Sequence, residues 1–232
     1  MRRLPFVASV AAVVLAAALV PAGQLRVPPR WNPWAPLDVA EPPNLLTRFK
    51  LARLERDAGA CLDVLRTTPM RFRVVPDRDT GPGCGFHGAV SISSAEVPLA
   101  GGSVTLTCPL AVSLALWERH VVEPAAQRRF GVGVARIEHF GSYACRNLYG
   151  REAGARSEHA TANALDVAGF ALADGRRVLV ARDWHGDAAA AGFLHDVDAD
   201  ACRYFDAVLG PDYNAAHRDH LHLDRGPYRV CR

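Results

Sequence analysis

Nine histidines occur in the 232 residues, and three of them crowd one octapeptide, His217-Arg218-Asp219-His220-Leu221-His222-Leu223-Asp224. If Leu221 to Leu223 is a strand, alternation puts His220 and His222 on one face and turns Leu221 and Leu223 into the core. Two imidazoles on a sheet face, with His217 and Asp219 in the preceding turn, can hold a hard or borderline cation. A second cluster lies well upstream: Ser157-Glu158-His159-Ala160-Thr161-Ala162-Asn163-Ala164-Leu165-Asp166. It sets His159 and Asp166 seven residues apart among small residues that permit close packing. Alone, a His and an Asp at that spacing more often make a surface or hydrogen-bonded pair than a metal site. Together the two clusters supply His, Asp and His donors with acid and base groups left over. That is the composition of a catalytic zinc site with an open fourth position.

Elements must bring these clusters together. From Asn44 the apolar residues Leu45, Phe49, Leu54, Cys61 and Leu65 fall near helical spacing, which predicts a helix of about twenty residues. Asp77 to Gly88 is dense in Gly, Pro and Asp and reads as a loop, and Val104 to Cys108 alternates as a strand. Leu110 to Phe130 returns to helical spacing, and a strand follows from Val134 to Phe140. The runs LDVAGFAL and RRVLVA, joined through Ala173-Asp174-Gly175, predict a hairpin, since Asp-Gly suits a tight turn. A helix is expected over Asp187 to Leu209 and a last strand over Leu221 to Leu223. This order predicts an α+β fold, a mostly antiparallel sheet flanked by helices.

The chain is long enough for one principal domain with appendages. Half of it is hydrophobic and 22% is charged, which excludes a wholly disordered chain and a polytopic membrane protein. Lys50 is the only lysine among 27 basic residues; the arginines are scattered among 24 acids, and a net charge of +3 argues against nucleic acid as a partner. Met1-Arg2-Arg3 precedes an apolar run from Leu4 to Ala22, so residues 1–23 read as an N-terminal apolar helix. It is either an uncleaved membrane anchor with its arginines in the cytoplasm or a signal peptide cut near Val20-Pro21-Ala22. Residues 24–43 are proline-rich and read as an extended stalk, with Trp31 and Trp34 either at the membrane interface or packed on the domain. The domain then occupies 44–232. Its six cysteines, even in number behind an export segment and without any C-x-x-C, predict three disulfides, among them Cys202 with Cys231.

The pattern S-x-H-x-x-G-x-A-x-D followed far downstream by H-x-D-x-x-H resembles the zinc D-alanyl-D-alanine carboxypeptidases and peptidoglycan endopeptidases. Ser157, His159, Ala164 and Asp166 match the first motif, and His217, Asp219 and His222 match the second. Ala162 replaces the usual glycine, with the expectation that the backbone there avoids positive φ. The chain further resembles the extensin-like C-terminal domain family, a branch of that fold group, through GSYACRN at 141–147, SEHATANALDVAGF, Asp174-Gly175-Arg176 and VLGPDYNAAHRDHLHLD. This resemblance runs from about Pro36 to the C-terminus. It implies Zn2+ held by His159, Asp166 and His222, Asp219 as general base, and His217 stabilising the oxyanion. The metal would lower the pKa of a water toward about 7 for attack on an amide.

Three residues are expected against the substrate: Arg146, paired with a carboxylate, then Ser157 and His220, the last alternatively a support for a ligand or a substitute ligand. Arg156 competes with Arg146 for that role, and Arg146 could equally be a surface ion pair. Asp224 either orients a ligand imidazole or makes a terminal ion pair. Glu158 and Asn163 read as turn or solvent residues, and His87, His120, His139, His185 and His195 as structural or exposed. The function expected is an exported, zinc-dependent peptidase of the periplasmic face of the envelope, acting on peptidoglycan stem peptides or cross-links. The alternative is a catalytically silent, zinc-containing wall-binding or structural domain.

Overall fold

A computed structural model describes residues 27–231. The apolar run and the export segment expected at 1–23 lie outside the described residues. Among the described residues no helix is long and apolar enough to cross a membrane.

The proline-rich segment lies along the domain as a strap. Prolines withhold N–H donors, so the strap's carbonyls find partners on the next element. Lys50 Nζ donates to the carbonyls of Pro29 (2.9 Å) and Pro36 (3.4 Å), Arg53 donates to Pro33 (2.8 Å), and Asn44 Nδ2 donates to Arg30 (2.8 Å). Lys50 is buried, and Leu37 and Val39 of the strap join the main core.

The single long helix expected from Asn44 is two helices, α1 (Thr47–Leu54) and α2 (Ala58–Arg66). The break is chemical: the Asp57 carboxylate accepts the Ala60 N–H and caps a new helix. The small strands are β1 (Arg71–Val74), β2 (Arg78–Gly81), β3 (Cys84–Phe86), β4 (Ala89–Ser94) and β5 (Val104–Thr107). The expected loop over 77–88 thus contains a two-stranded β2–β3 hairpin, while β1-β4-β5 form an antiparallel sheet. Glycine permits the hairpin, because a Cβ on Gly85 would sit 2.1 Å from the Arg78 carbonyl oxygen.

Cys108, expected to end a strand, opens helix α3 (Cys108–Trp117), where Pro109 fits the first turn. One π turn (Glu118–Val122) carries it into α4 (Glu123–Phe130), which stops at Gly131 with φ 71°. Helix α3 is apolar all round and is the buried centre of the domain. Trp117 at its end packs on Phe170 and Phe205 and donates to the Val197 carbonyl at 2.9 Å. In the π turn, the buried Glu118 accepts the N–H groups of Glu96 (2.7 Å) and Val97 (3.4 Å).

The second half holds β6 (Val134–Gly141), β7 (Ala164–Leu172), β8 (Arg177–Leu179), α5 (Val180–Asp183), α6 (Ala188–Ala201), β9 (Ala207–Leu209), β10 (Leu221–Asp224) and β11 (Val230–Cys231). The β7–β8 hairpin turns at Asp174-Gly175 as expected, but its second arm is shorter because Val180 starts a helix. Helix α6 stops before the expected Leu209, and Ala207–Leu209 instead pairs in the sheet. The sheet runs β11-β9-β10-β7-β6 with β8 also on β7, and only β11–β9 is parallel. The fold is α+β with antiparallel sheets and covering helices. All six cysteines are paired: Cys61–Cys108, Cys84–Cys145 and the expected Cys202–Cys231.

Candidate metal and catalytic site

Register explains how residues 56 positions apart meet. In the β10–β7 ladder His222 lies directly opposite Asp166, and Leu221 and Leu223 face Val167 and Leu165 on the buried side. Opposite residues share a sheet face with Cβ atoms about 5 Å apart. The third residue, His159, arrives on a 3-10 turn (Glu158–Thr161) whose first residue is capped by Ser157, its Oγ accepting the His159 N–H at 3.4 Å.

That turn ends in a correction. Ala162 does not avoid positive φ: it has φ 55° and ψ 26°, the left-handed conformation that ends the turn. Its N–H reaches the His159 carbonyl, while its own carbonyl accepts the Thr107 N–H at 2.9 Å. Closing the turn demands that conformation whatever the residue, and alanine adopts it at a cost of about 1 kcal/mol.

Three buried side chains converge. His159 Nε2 is 3.1 Å from Asp166 Oδ1, His222 Nδ1 is 2.9 Å from the same oxygen, and the two nitrogens are 3.1 Å apart. Their outer nitrogens are committed as donors. His159 Nδ1 donates to the Ser142 carbonyl (2.5 Å) and His222 Nε2 to Asp224 Oδ2 (2.9 Å). Neutral rings held this way point two lone pairs at a carboxylate oxygen, so three acceptors face one another and need a shared cation or proton. Tetrahedral zinc at about 2.0 to 2.1 Å sets ligand atoms roughly 3.4 Å apart, close to this triangle. The donor set fits such an ion.

Without a metal, a proton answers the same demand. Burial pulls the His222 imidazole down, but the hydrogen bonds to Asp166 and Asp224 outweigh it and push it up to about 9. Burial likewise opposes ionised Asp166, yet its bonds to the two imidazoles hold it well below the usual carboxylate range.

The remaining candidates surround this centre. His220 Nε2 is 3.6 Å from Asp166 Oδ1, and its Nδ1 donates to Asp219 Oδ1 at 2.8 Å, so Asp219 touches the centre only through His220. His217 Nδ1 donates to Asn214 Oδ1 at 2.9 Å, which leaves Nε2 an acceptor. Burial, then the neighbouring His222 and His220, lowers His217 to about 4, so its ring is neutral near pH 7. Such a ring serves as an oxyanion donor only after gaining a proton.

Arg146 sits 3.9 Å from Asp166 Oδ2 with its guanidinium partly exposed. Its rival Arg156 is spent on the carbonyl of Pro82 and on Asn147 Oδ1. A cavity of about 220 Å³ opens here, lined by Arg146, Ser157, His217, His220 and His222, with Tyr149 and Tyr228 on its wall.

Sequence reasoning missed Asn163, read as a turn residue. It accepts from Thr107 Oγ1 and donates to Glu158 and to the Arg225 carbonyl, tying the 3-10 turn to β5 and β10. Asp224 accepts from His222 Nε2 and so fixes that imidazole. The other histidines serve elsewhere, His120 on the strap carbonyl of Val39, His195 against Trp184 and His87 beside Asp77 and Asp79.

No curated protein and no solved structure matches the chain. The family described as extensin-like protein C-terminus matches residues 59–232, which include every residue of this site, and the chain belongs to that family.

Proposed function

We propose that this protein is an exported zinc peptidase of the cell envelope that hydrolyses an amide in peptidoglycan stem peptides or cross-links. The observation that carries this reading is the triangle of His159 Nε2, Asp166 Oδ1 and His222 Nδ1, with both rings locked by Ser142 and Asp224 so that their lone pairs face inward. Three disulfides suit an oxidising compartment, as does the apolar N-terminal run. Zinc held there would act as a Lewis acid and lower the pKa of a water to about 7.

The protein's own groups do the rest. His220 Nε2, facing the centre, takes a proton from the attacking water as the oxygen bonds to the carbonyl carbon. The same nitrogen returns the proton to the departing amine as the C–N bond breaks. Asp219 fixes the ring for this exchange, a positioning role in place of the direct base role expected for it. Arg146, open on the cavity wall, binds a substrate carboxylate, and Ser157 holds the turn that presents His159.

Metal analysis of the purified chain, joined to mass spectrometry of digested muropeptides, tests the reading. One zinc per chain with shortened muropeptides is the expected result. Zinc without cleavage would leave a silent wall-binding domain, and a chain with no stoichiometric metal would sink both.

A further inference from the structure

Among the described residues ten large hydrophobics stand exposed; Leu148, Tyr149 and Tyr228 line the catalytic cavity, and Trp31, Trp34, Leu45 and Phe49 gather elsewhere. The second group forms one face where the strap meets α1. Trp34 is 71% exposed and edge-on to Phe49 at 6.0 Å, and Leu45, one turn before Phe49, is 93% exposed. The Asn44 bond to Arg30 holds the Trp31 end of the strap to the same place.

Cations are interleaved with these rings. The Arg30 guanidinium lies 5.7 Å from the Trp31 ring centre, and that of Arg53 lies 5.2 Å from Trp34. Arg56 is exposed close by, beside a groove of about 560 Å³ floored by Leu37, Leu54 and Val64. None of these three arginines has a carboxylate partner among the described residues. Nearby acids are engaged, Asp57 capping α2 and Glu55 paired with the buried Arg225.

Aromatic rings with arginines between them match the boundary between lipid headgroups and acyl chains, where amphipathic rings settle and guanidinium groups meet phosphates. The position of the face agrees. The apolar run ends at Ala22, and the five residues to Val27 reach at most about 17 Å.

We propose that this face docks on an anionic lipid surface, holding the domain against the bilayer. The proposal rests on the membrane-anchored form of the reading above and not on zinc or peptidase activity.

Full-length protein is reconstituted with vesicles of phosphatidylcholine and phosphatidylglycerol, with and without bromine on the acyl chains, and tryptophan emission is read after flotation. Trp117 and Trp184 are buried, so bromine should quench only the share from Trp31 and Trp34, two of four tryptophans. Quenching is expected, weaker without the anionic lipid or in high salt, and largely lost in Leu45→Glu/Phe49→Glu, whose exposed positions leave the fold intact. The double variant Trp31→Phe/Trp34→Phe should abolish it. Flotation without quenching would overturn the docking face and leave the anchor standing. Failure to float would overturn both. Quenching that is absent while the chain sediments as a dimer would assign the face to a second copy and also overturn the proposal. Zinc content, measured on the same samples, reports separately on the peptidase reading.

Discussion

Asp219 and His220 are adjacent in sequence, yet only the imidazole faces the Asp166 oxygen that His159 and His222 share. His220→Ala should keep zinc and lower hydrolysis by about 10² to 10⁴, the worth of a positioned base. Asp219→Asn should cost less, about 10- to 100-fold, because it loosens a ring that is still present. Metal content and kcat/KM measured together check this; equal losses in the two variants would return the base role to Asp219. At Ala162, glycine would relieve about 1 kcal/mol of left-handed strain and forfeit about 0.8 kcal/mol of buried methyl. Ala162→Gly should therefore leave the Tm within a few degrees, while Ala162→Val, β-branched in that conformation, should cost more than about 2 kcal/mol and reduce bound metal. Thermal melts of both variants decide it. The meeting of His159, Asp166 and His222 was legible in the sequence because strand alternation and two spaced motifs constrain it. The division between Asp219 and His220 was not, since it depends on how a turn aims two neighbouring side chains.

Elements show the same boundary. Period and turn chemistry gave β6, the β7–β8 turn, β10 and the long α3–α4 helix. They failed where a capping side chain outvoted hydrophobic spacing, as at Asp57, or where pairing partners distant in sequence claimed a segment, as β10 claims Ala207–Leu209. The β2–β3 hairpin is the clearest case, since its Cys84 is bonded to Cys145, immediately before Arg146. That bridge and the Arg156 bonds to Pro82 anchor the segment that supplies Arg146 and the Ser142 carbonyl. Replacing both cysteines by serine should cost about 2 to 5 kcal/mol. It should also raise KM and lower kcat together, because Arg146 and the Ser142 carbonyl that holds His159 lose the same support, while Asp166 on β7 and His222 on β10 keep their pairing. Denaturant melts and steady-state kinetics test both halves.

Across the whole molecule, one buried carboxyl links stability to pH. Burial pushes Glu118 up to about 8, despite the two N–H groups it accepts. Unfolded, it ionises near its ordinary 4.5, so between that pH and about 8 the folded chain holds a proton that the unfolded chain has lost. Its contribution to unfolding free energy therefore falls as pH rises through that window, by up to about 1.4 kcal/mol per unit, and is level above it. His217, shifted the other way to about 4, acts with the opposite sign below its ordinary 6.5, so a comparison is needed to isolate Glu118. Glu118→Gln should gain on the parent steadily from pH 5 to pH 8; a constant difference in urea melts would refute the linkage.

Lys50 gives the strap a chemical clock. Its ε-amine is the only lysine amine in the chain, and it is buried beneath the carbonyls of Pro29 and Pro36. Acylating reagents should reach it faster when the strap lifts, so the labelling rate at this residue should follow those openings. On protein held at a bilayer the rate should fall, because a surface pressed over Trp31 and Trp34 keeps the strap shut.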